Sequence, residues 1–299
     1  MWQIFSLLSV LSNAIEETVD KAAIVGNKAV DTIGATWVRN AISVVIAFLG
    51  GWLIERHFPH LFLSLPIIIL GVLYAIQAIL YTTILRHIEI TASSLITNFI
   101  PIVFLPIDIL IVGAPFLPRQ IVGVFLLVAG GVIFFLKHER FTKQHLQLLT
   151  GVFVFDVIIY GLESYSFKSL FVTNALSATD FLWSMWSVML FVLSMVFIGM
   201  IIYQKALPSL AHYSSYIQRS LVSKTADYTG SFFFLQALTL ASASQVAAMK
   251  AIYPLTLVVL VIIAQKRFDI DLGELLDRNT LFQKIIASIV LCVGVYLIR

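Results

Sequence analysis

The sequence predicts an all-α integral membrane protein with ten transmembrane helices arranged as two inverted five-helix repeats. Apolar residues make up 60% of the 299 residues, and the mean hydropathy is +0.99. Charged residues make up only 12%, whereas a soluble domain has roughly 25%. Long apolar runs fill most of the chain, and features of its first half recur in its second half. Lipid is therefore the expected solvent for most of this protein.

The composition excludes several classes of protein. A soluble enzyme or a nucleic-acid-binding protein cannot be built from so few polar residues, and the net charge of +3 forms no basic stripe. The single cysteine, Cys292, rules out a disulfide framework and a cysteine-based metal site. Zinc-protease, phosphate-loop and nucleophile-elbow motifs are absent. We therefore expect no enzymatic activity, cofactor, metal or nucleic-acid partner.

The apolar runs have the length of membrane-spanning helices. A helix needs about 20 residues to cross about 30 Å of hydrocarbon. The runs show no period-two alternation, which argues against strands, and short polar, glycine or proline breaks separate them. The ten predicted spans are residues 4–25, 32–54, 61–85, 91–113, 118–136, 148–171, 178–203, 219–240, 243–264 and 280–298.

The two halves of the chain, residues 1–143 and 144–299, carry matching features. A Glu-x4-Lys pair that begins at Glu16 in the first span recurs in the sixth span at Glu163. Trp37 of the second span has its counterpart in Trp183 of the seventh. Five is an odd number of crossings, so the second copy must cross the membrane in the opposite sense. Inverted repeats of this kind are typical of secondary transporters.

The fourth and ninth spans share a further pattern, in which small residues precede a proline. Pro101 and Pro254 occupy these matching positions. A proline in mid-helix frees a backbone carbonyl and bends the helix, which predicts a hinge at each residue. A packing kink without functional role is the alternative.

The stretch from Phe232 to Gln265 reads FFFLQALTLASASQVAAMKAIYPLTLVVLVIIAQ. It resembles the Ala/Ser-rich start and central proline of the ninth helix in EamA-like proteins of the drug/metabolite transporter superfamily. The Gly-Glu pair that members commonly carry after helices 4 and 9 is missing, since Gly113-Ala114-Pro115 and Gln265-Lys266-Arg267 stand there. The resemblance implies ten helices in two repeats and export of a metabolite.

Ionisable residues inside membrane spans are costly, and each is a candidate for function. The predicted substrate-binding or proton-coupling residues are Asn13, Glu16, Tyr160, Glu163, Trp183, Lys224, Asp227 and Lys250. A carboxylate shielded from water takes up a proton more readily, so Glu16, Glu163 or Asp227 would couple proton movement to transport. Lys224 and Lys250 would hold a carboxylate or phosphate.

Less specific explanations stand beside these assignments. Structural ion pairs, or side chains that extend to the headgroups, would account equally for Glu17, Asp20 and Lys21 near the end of the first span. An interfacial aromatic belt or plain packing would account for Trp183. The basic residues concentrate in the breaks after the odd-numbered spans, which places both termini outside. The family resemblance implies that both termini are cytoplasmic.

These observations predict a secondary active transporter, most plausibly an exporter, of a small polar metabolite such as an amino acid or related organic ion. Alternating access would operate at a midplane cavity between the repeats. The expected partners are the metabolite, membrane lipid and protons, and the protein would be a monomer or homodimer in the cytoplasmic (inner) membrane of a prokaryote. The alternatives are a transporter of phosphorylated or nucleotide-linked sugars, a passive channel, and a non-transporting membrane subunit.

Overall fold

A computed structural model describes most of the chain, and every regular element in that part is helical. The described residues are 1–27, 30–91, 100, 102–103, 117–135, 142–172, 176–204, 213–241, 245–246, 249–268, 270, 272 and 278–298. The α-helices within them are α1 (Trp2–Gly26), α2 (Thr32–Glu55), α3 (Leu65–His87), α4 (Pro118–Phe135), α5 (Lys143–Val172), α6 (Ala178–Gln204), α7 (Ser214–Leu240), α8 (Tyr253–Phe268) and α9 (Arg278–Ile298). A 3₁₀ turn, Lys250–Ile252, precedes α8.

Five of these helices are long and apolar enough to cross a membrane: α2, α3, α5, α6 and α9. The chain is therefore a multi-pass, all-α membrane protein, as the sequence predicts. Helices α1 and α7 are equally long but carry ionisable residues near their middle. The predicted fourth span, 91–113, falls largely outside the described residues, and so does Pro101.

The predicted ninth span, 243–264, contains a 3₁₀ turn that the sequence does not predict. Residues 245–246 and 249 before the turn are helical, the turn covers Lys250–Ile252, and α8 continues from Tyr253. Pro254 is the second residue of α8, directly after the turn and with helical residues on both sides of it. Because proline cannot donate a backbone hydrogen bond, it suits a point where the helix changes its hydrogen-bond pattern.

Helix starts are set by local side chains. Asp31 caps α2 by accepting a hydrogen bond from the Gly34 backbone nitrogen at 2.7 Å. Ser177 precedes α6 in the same way, and its hydroxyl accepts from the Asp180 backbone nitrogen at 3.2 Å. Ser177 also donates to the Asp180 carboxylate at 3.0 Å. The second helix of each half thus begins with a polar cap.

The described helices of the two halves of the chain make corresponding contacts. Helix α1 packs against α7, and α5 against α3. Helix α2 packs against α6 and α7, while α6 packs against α2 and α3. Helix α4 packs against α9. These contacts are unchanged when α1, α2, α3 and α4 are exchanged with α5, α6, α7 and α9.

Hydrogen bonds join the helix ends at two opposite sites. At the end marked by Asp31, the Tyr213 hydroxyl donates to the Asp31 carboxylate at 2.9 Å and Arg219 donates to the Ala22 carbonyl at 2.7 Å. At the end marked by Asp180, the His60 backbone nitrogen donates to the Asp180 carboxylate at 2.7 Å. The contact of Tyr213 with Asp31 joins the segment before α7 to the start of α2, and the contact of His60 with Asp180 joins the segment before α3 to the start of α6. The contact of Arg219 with Ala22 joins α7 to α1. The polar residues of the bundle interior lie between these two ends.

Candidate functional site

A cavity of about 280 Å³ lies in the interior, between α1, α2 and α3 on one side and α5, α6 and α7 on the other. The 3₁₀ turn and the first residue of α8 complete its wall. Seven of the residues predicted from the sequence line it: Asn13, Glu16, Tyr160, Glu163, Lys224, Asp227 and Lys250. The structure therefore brings candidates from four separate segments of the chain into one site.

Lys224 is the centre of a buried charge cluster on one side of the cavity. Its ammonium lies 2.6 Å from the Glu16 carboxylate, 2.9 Å from Asp227 and 3.6 Å from Asp20. Lys224 is only 3% exposed, so these carboxylates replace the water that its charge would otherwise require. The Lys224 ammonium therefore has no obvious capacity left for an anionic ligand.

Arg39 of α2 extends this cluster. Its guanidinium donates to the Asp20 carboxylate at 2.7 Å, and both residues are buried. Ser223 of α7 also donates to Asp20. Asp20 of α1 is thus held by partners from two other helices, α2 and α7, as expected for a structural ion pair. The alternative of extension to the lipid headgroups does not apply to Asp20.

Helix α5 presents Asp156, Tyr160 and Glu163 to the cavity, and their i, i+4 and i+7 spacing puts them on one face of the helix. Helix α3 supplies their partners. The Tyr74 hydroxyl donates to Glu163 at 2.8 Å, and the Gln77 amide donates to Asp156. Within the described part of the chain, both carboxylates have neutral hydrogen-bond donors and no ion pair. Glu16 and Asp20, in contrast, both form ion pairs.

Lys250 approaches the same region from the 3₁₀ turn. Its ammonium lies 4.2 Å from the centre of the Phe234 ring and 5.0 Å from the centre of the Tyr160 ring. An ammonium is attracted to the negative face of an aromatic ring at such distances. No hydrogen bond or ion pair joins Lys250 to another described residue. The rings are therefore the principal partners of this charge.

Glu17 lies at the boundary between α1 and α8. The Tyr253 hydroxyl donates to the Glu17 carboxylate, and its oxygen also lies 3.4 Å from the Asn13 carbonyl oxygen. Tyr253 precedes Pro254, so the 3₁₀ turn before α8 sets this tyrosine against α1. Pro254 itself does not line the cavity, although its neighbour does. Its predicted role as a hinge stays a prediction.

Trp183 is the predicted residue that the structure places elsewhere. It packs against Phe48 of α2, with ring centres 5.3 Å apart, and is not part of the cavity wall. Trp186, one turn farther along α6, lines the cavity instead and meets Tyr228 edge-on. The repeat match between Trp37 and Trp183 identified equivalent positions but could not show which tryptophan faces inward.

Sequence reasoning missed the contribution of α3. Tyr74, Gln77 and Tyr81 all line the cavity. They stand at i, i+3 and i+7 in an otherwise apolar helix, so they share one face. That spacing was a usable signal, because polar and amphipathic side chains on one face of a membrane helix indicate a protein-facing surface.

Among the described residues, acidic side chains outnumber basic ones in the cavity wall. These residues include five carboxylates (Glu16, Glu17, Asp156, Glu163 and Asp227) and three cations (Arg39, Lys224 and Lys250). The buried Asp20 adds a sixth carboxylate immediately behind the wall. The predicted fourth span, 91–113, contains no lysine or arginine in its sequence. The arrangement therefore favours protons or cationic groups over anions.

Comparison with known proteins defines the fold only. No family model matches this chain. No curated protein matches it either. A solved structure described only as "Crystal structure of protein" is similar, with a TM-score of 0.66 and 12% sequence identity over 99% of this chain and 98% of the other. At this identity the likeness shows that the fold is shared along nearly the whole chain.

Proposed function

We propose that this protein is a secondary active transporter, operating as an exporter of a small polar metabolite. The observation that carries the proposal is the charged cavity of about 280 Å³ that is lined by helices of both halves. Ionisable groups inside a membrane bundle are expensive, and they typically mark substrate and proton pathways. The volume is near the lower end of ligand pockets, which span about 300–1,000 Å³. A small metabolite fits this space.

The internal symmetry supports the same proposal. The helix contacts are preserved when α1 to α4 are exchanged with α5, α6, α7 and α9, and α8 then corresponds to the predicted span 91–113. We propose ten helices in two inverted repeats, residues 1–143 and 144–299. The cavity lies where the halves meet, which is the position of the substrate site in repeat-built transporters. The resemblance to EamA-like proteins agrees with this architecture.

Alternating access would follow from movement of one half against the other. The hydrogen bonds at the Asp31 end and at the Asp180 end cross between the halves. Opening one end while the other stays bonded would expose the cavity to one side at a time. The carboxylates of Asp156 and Glu163 face the cavity and would be the groups that couple proton movement to transport. The sequence has no ATP-binding motif, so an ion or substrate gradient would supply the energy.

The proposal places the protein in the cytoplasmic membrane of a prokaryote, as a monomer or homodimer surrounded by lipid. Two alternative functions make different predictions. A passive channel would carry a flux that does not saturate and does not depend on Glu163. A non-transporting subunit would carry no flux and would copurify with a partner.

The deciding experiment compares metabolites inside and outside cells that express the wild type or Glu163→Gln. Glu163 lines the cavity and is 6% exposed. The matched control is Lys266→Ala, because Lys266 is an exposed residue at the end of α8. We expect one metabolite class to move out of cells with the wild type and the control, and not with Glu163→Gln. Equal metabolite levels in all three strains and in cells without the protein would contradict the proposal.

A further inference from the structure

We infer, on the basis of the proposed transport function, that the substrate is an organic cation carrying a primary ammonium group. The ammonium binds between the carboxylates of Asp156 and Glu163 and the rings of Tyr160 and Phe234. The Lys250 ammonium lies against these two rings in the structure, as a tethered counterpart of the substrate ammonium.

The first argument is the balance of charge. The five carboxylates of the wall outnumber its three cations, and the cations on the α1 side are already paired. Lys224 meets three carboxylates, and Asp20 neutralises Arg39. One N–H of Arg39, at Nε, lacks a partner, but the charge of the guanidinium is still compensated. An anionic substrate would therefore add negative charge to a site that already has an excess.

The second argument is the chemistry of the α5 side. Asp156 and Glu163 each accept a hydrogen bond from a neutral donor, Gln77 or Tyr74. A carboxylate has about four acceptor positions, so both can accept further hydrogen bonds. An ammonium group has three N–H donors and a positive charge, so it can fill the acceptor positions and also balance the carboxylate charge. A sugar hydroxyl could fill an acceptor position but would not balance the charge.

The third argument is that the structure already holds an ammonium group there. Lys250 lies against the faces of Phe234 and Tyr160, at 4.2 Å and 5.0 Å from the ring centres. Tyr160 stands between Asp156 and Glu163 on α5, so rings and carboxylates form one continuous surface. Among the described residues, no hydrogen bond or ion pair holds the Lys250 ammonium against the rings. Its flexible side chain can therefore leave the rings when an external ammonium competes for them.

Lys250 then acts as an internal competitor that keeps the charge of the empty site compensated. This role differs from that of an anion-binding lysine in one measurable respect. Removing a competitor strengthens binding of a cation, whereas removing an anion-binding lysine weakens binding of an anion. The two roles predict opposite effects of the same substitution.

The test measures ligand binding to the purified full-length protein in detergent, from the ligand concentration dependence of its thermal stability. The ligands are n-butylammonium, which matches the lysine side chain, butanoate, which has the opposite charge, and inorganic phosphate. We expect n-butylammonium to stabilise the wild type and the other two to leave it unchanged. Lys250→Ala should bind n-butylammonium about tenfold more tightly, and Glu163→Gln about tenfold more weakly. Lys266→Ala is the control and should match the wild type.

Lys250→Met provides a second variant of similar side-chain volume if Lys250→Ala does not fold. It should also bind n-butylammonium more tightly than the wild type. Binding of butanoate or phosphate by the wild type, lost in Lys250→Met, would overturn the inference. Absence of n-butylammonium binding in the wild type and both Lys250 variants would overturn it too.

Flux in proteoliposomes separates this inference from the transport proposal. Saturable flux of labelled 1,4-diaminobutane supports both. Saturable flux of an anion or neutral solute, with none of the diamine, keeps the transport proposal and overturns the cation inference. Binding of n-butylammonium with the expected variant pattern, but no flux of any of these solutes, keeps the inference about the site and overturns transport.

Discussion

Lys21 and Lys168, in the first and second halves of the chain, each donate a hydrogen bond to the backbone carbonyl that follows another helix of the same half. The Lys21 ammonium donates to the carbonyl of Ile88 at 2.7 Å, and the Lys168 ammonium donates to the carbonyl of Ala241 at 2.8 Å. Ile88 and Ala241 are the capping residues that directly follow α3 and α7. The last carbonyls of a helix have no partner within the helix, and in lipid they cannot rely on water. Each half thus uses a lysine of its first helix to cap its third.

Replacing these lysines by methionine should destabilise the protein to different degrees. Lys21 is buried, and its ammonium also donates to the Leu85 carbonyl at 2.6 Å, so Lys21→Met removes two hydrogen bonds. We expect it to lose about 2 kcal/mol of stability, as for charged hydrogen bonds generally. Lys168 is half-buried, so water can replace part of what its ammonium loses, and Lys168→Met should lose less stability than Lys21→Met. Thermal unfolding in detergent measures both, and a larger loss for Lys168→Met would contradict this assignment.

The contact between Asn13 and Gly230 should be intolerant of a methyl group. A Cβ atom at Gly230 would overlap the Asn13 side chain, so α1 and α7 approach closely only because this residue is glycine. We expect Gly230→Ala to cost about 1–3 kcal/mol, as overpacking does. Asn13→Ala removes the overlapping atoms. The double variant should therefore recover most of the stability lost in Gly230→Ala, and additive losses would show that the two residues do not collide.

The pair between Asp20 and Arg39 should show strong coupling. Removing one partner of a buried ion pair leaves an uncompensated charge and typically costs about 3–5 kcal/mol. We expect Asp20→Asn to approach this loss, since Asp20 is 1% exposed and also lies 3.6 Å from the Lys224 ammonium. The double variant with Arg39→Met should be less destabilised than the sum of the single variants. Unfolding curves of the three proteins measure the coupling, and simple additivity would argue against it.

Two tryptophans of α6 allow a residue of the cavity wall to be compared with one outside it. Trp186 lines the cavity, whereas Trp183 packs against Phe48. Phenylalanine at either position keeps an aromatic ring but shortens the side chain. We expect Trp186→Phe to reduce metabolite export at least several-fold and Trp183→Phe to leave it near the wild-type level at equal expression. The reverse order would move the site away from Trp186.

Labelling of single cysteines tests the predicted fourth span. His57 and Thr142 are exposed and lie in breaks between helices. In a Cys292→Ser background, His57→Cys and Thr142→Cys should react with a membrane-impermeant thiol reagent from opposite sides of the membrane. Three crossings separate the two positions when 91–113 spans, along with α3 and α4, and only two when it does not. Labelling from the same side would therefore contradict ten helices.

Much of the candidate site could be predicted from the chain because ionisable residues are rare in it. Glu163 and Lys250 stand out against apolar neighbours, and each marks a place where lipid cannot be the surroundings. The face formed by Asp156, Tyr160 and Glu163 followed from helical spacing alone. Tyr74 and Gln77 were missed because neither carries a charge at neutral pH and most of their neighbours in α3 are apolar.

The sequence by itself determined that the chain is a multi-pass bundle of helices, since a composition of 60% apolar and 12% charged residues leaves no other fold for its backbone. It also marked the polar positions, because helical spacing is a local property. Only the tertiary structure decided which charges meet. Lys224 and Glu16 are 208 residues apart, and Tyr74 and Glu163 are 89 apart. Such pairs depend on which helices become neighbours, and that is set by the packing of the whole bundle.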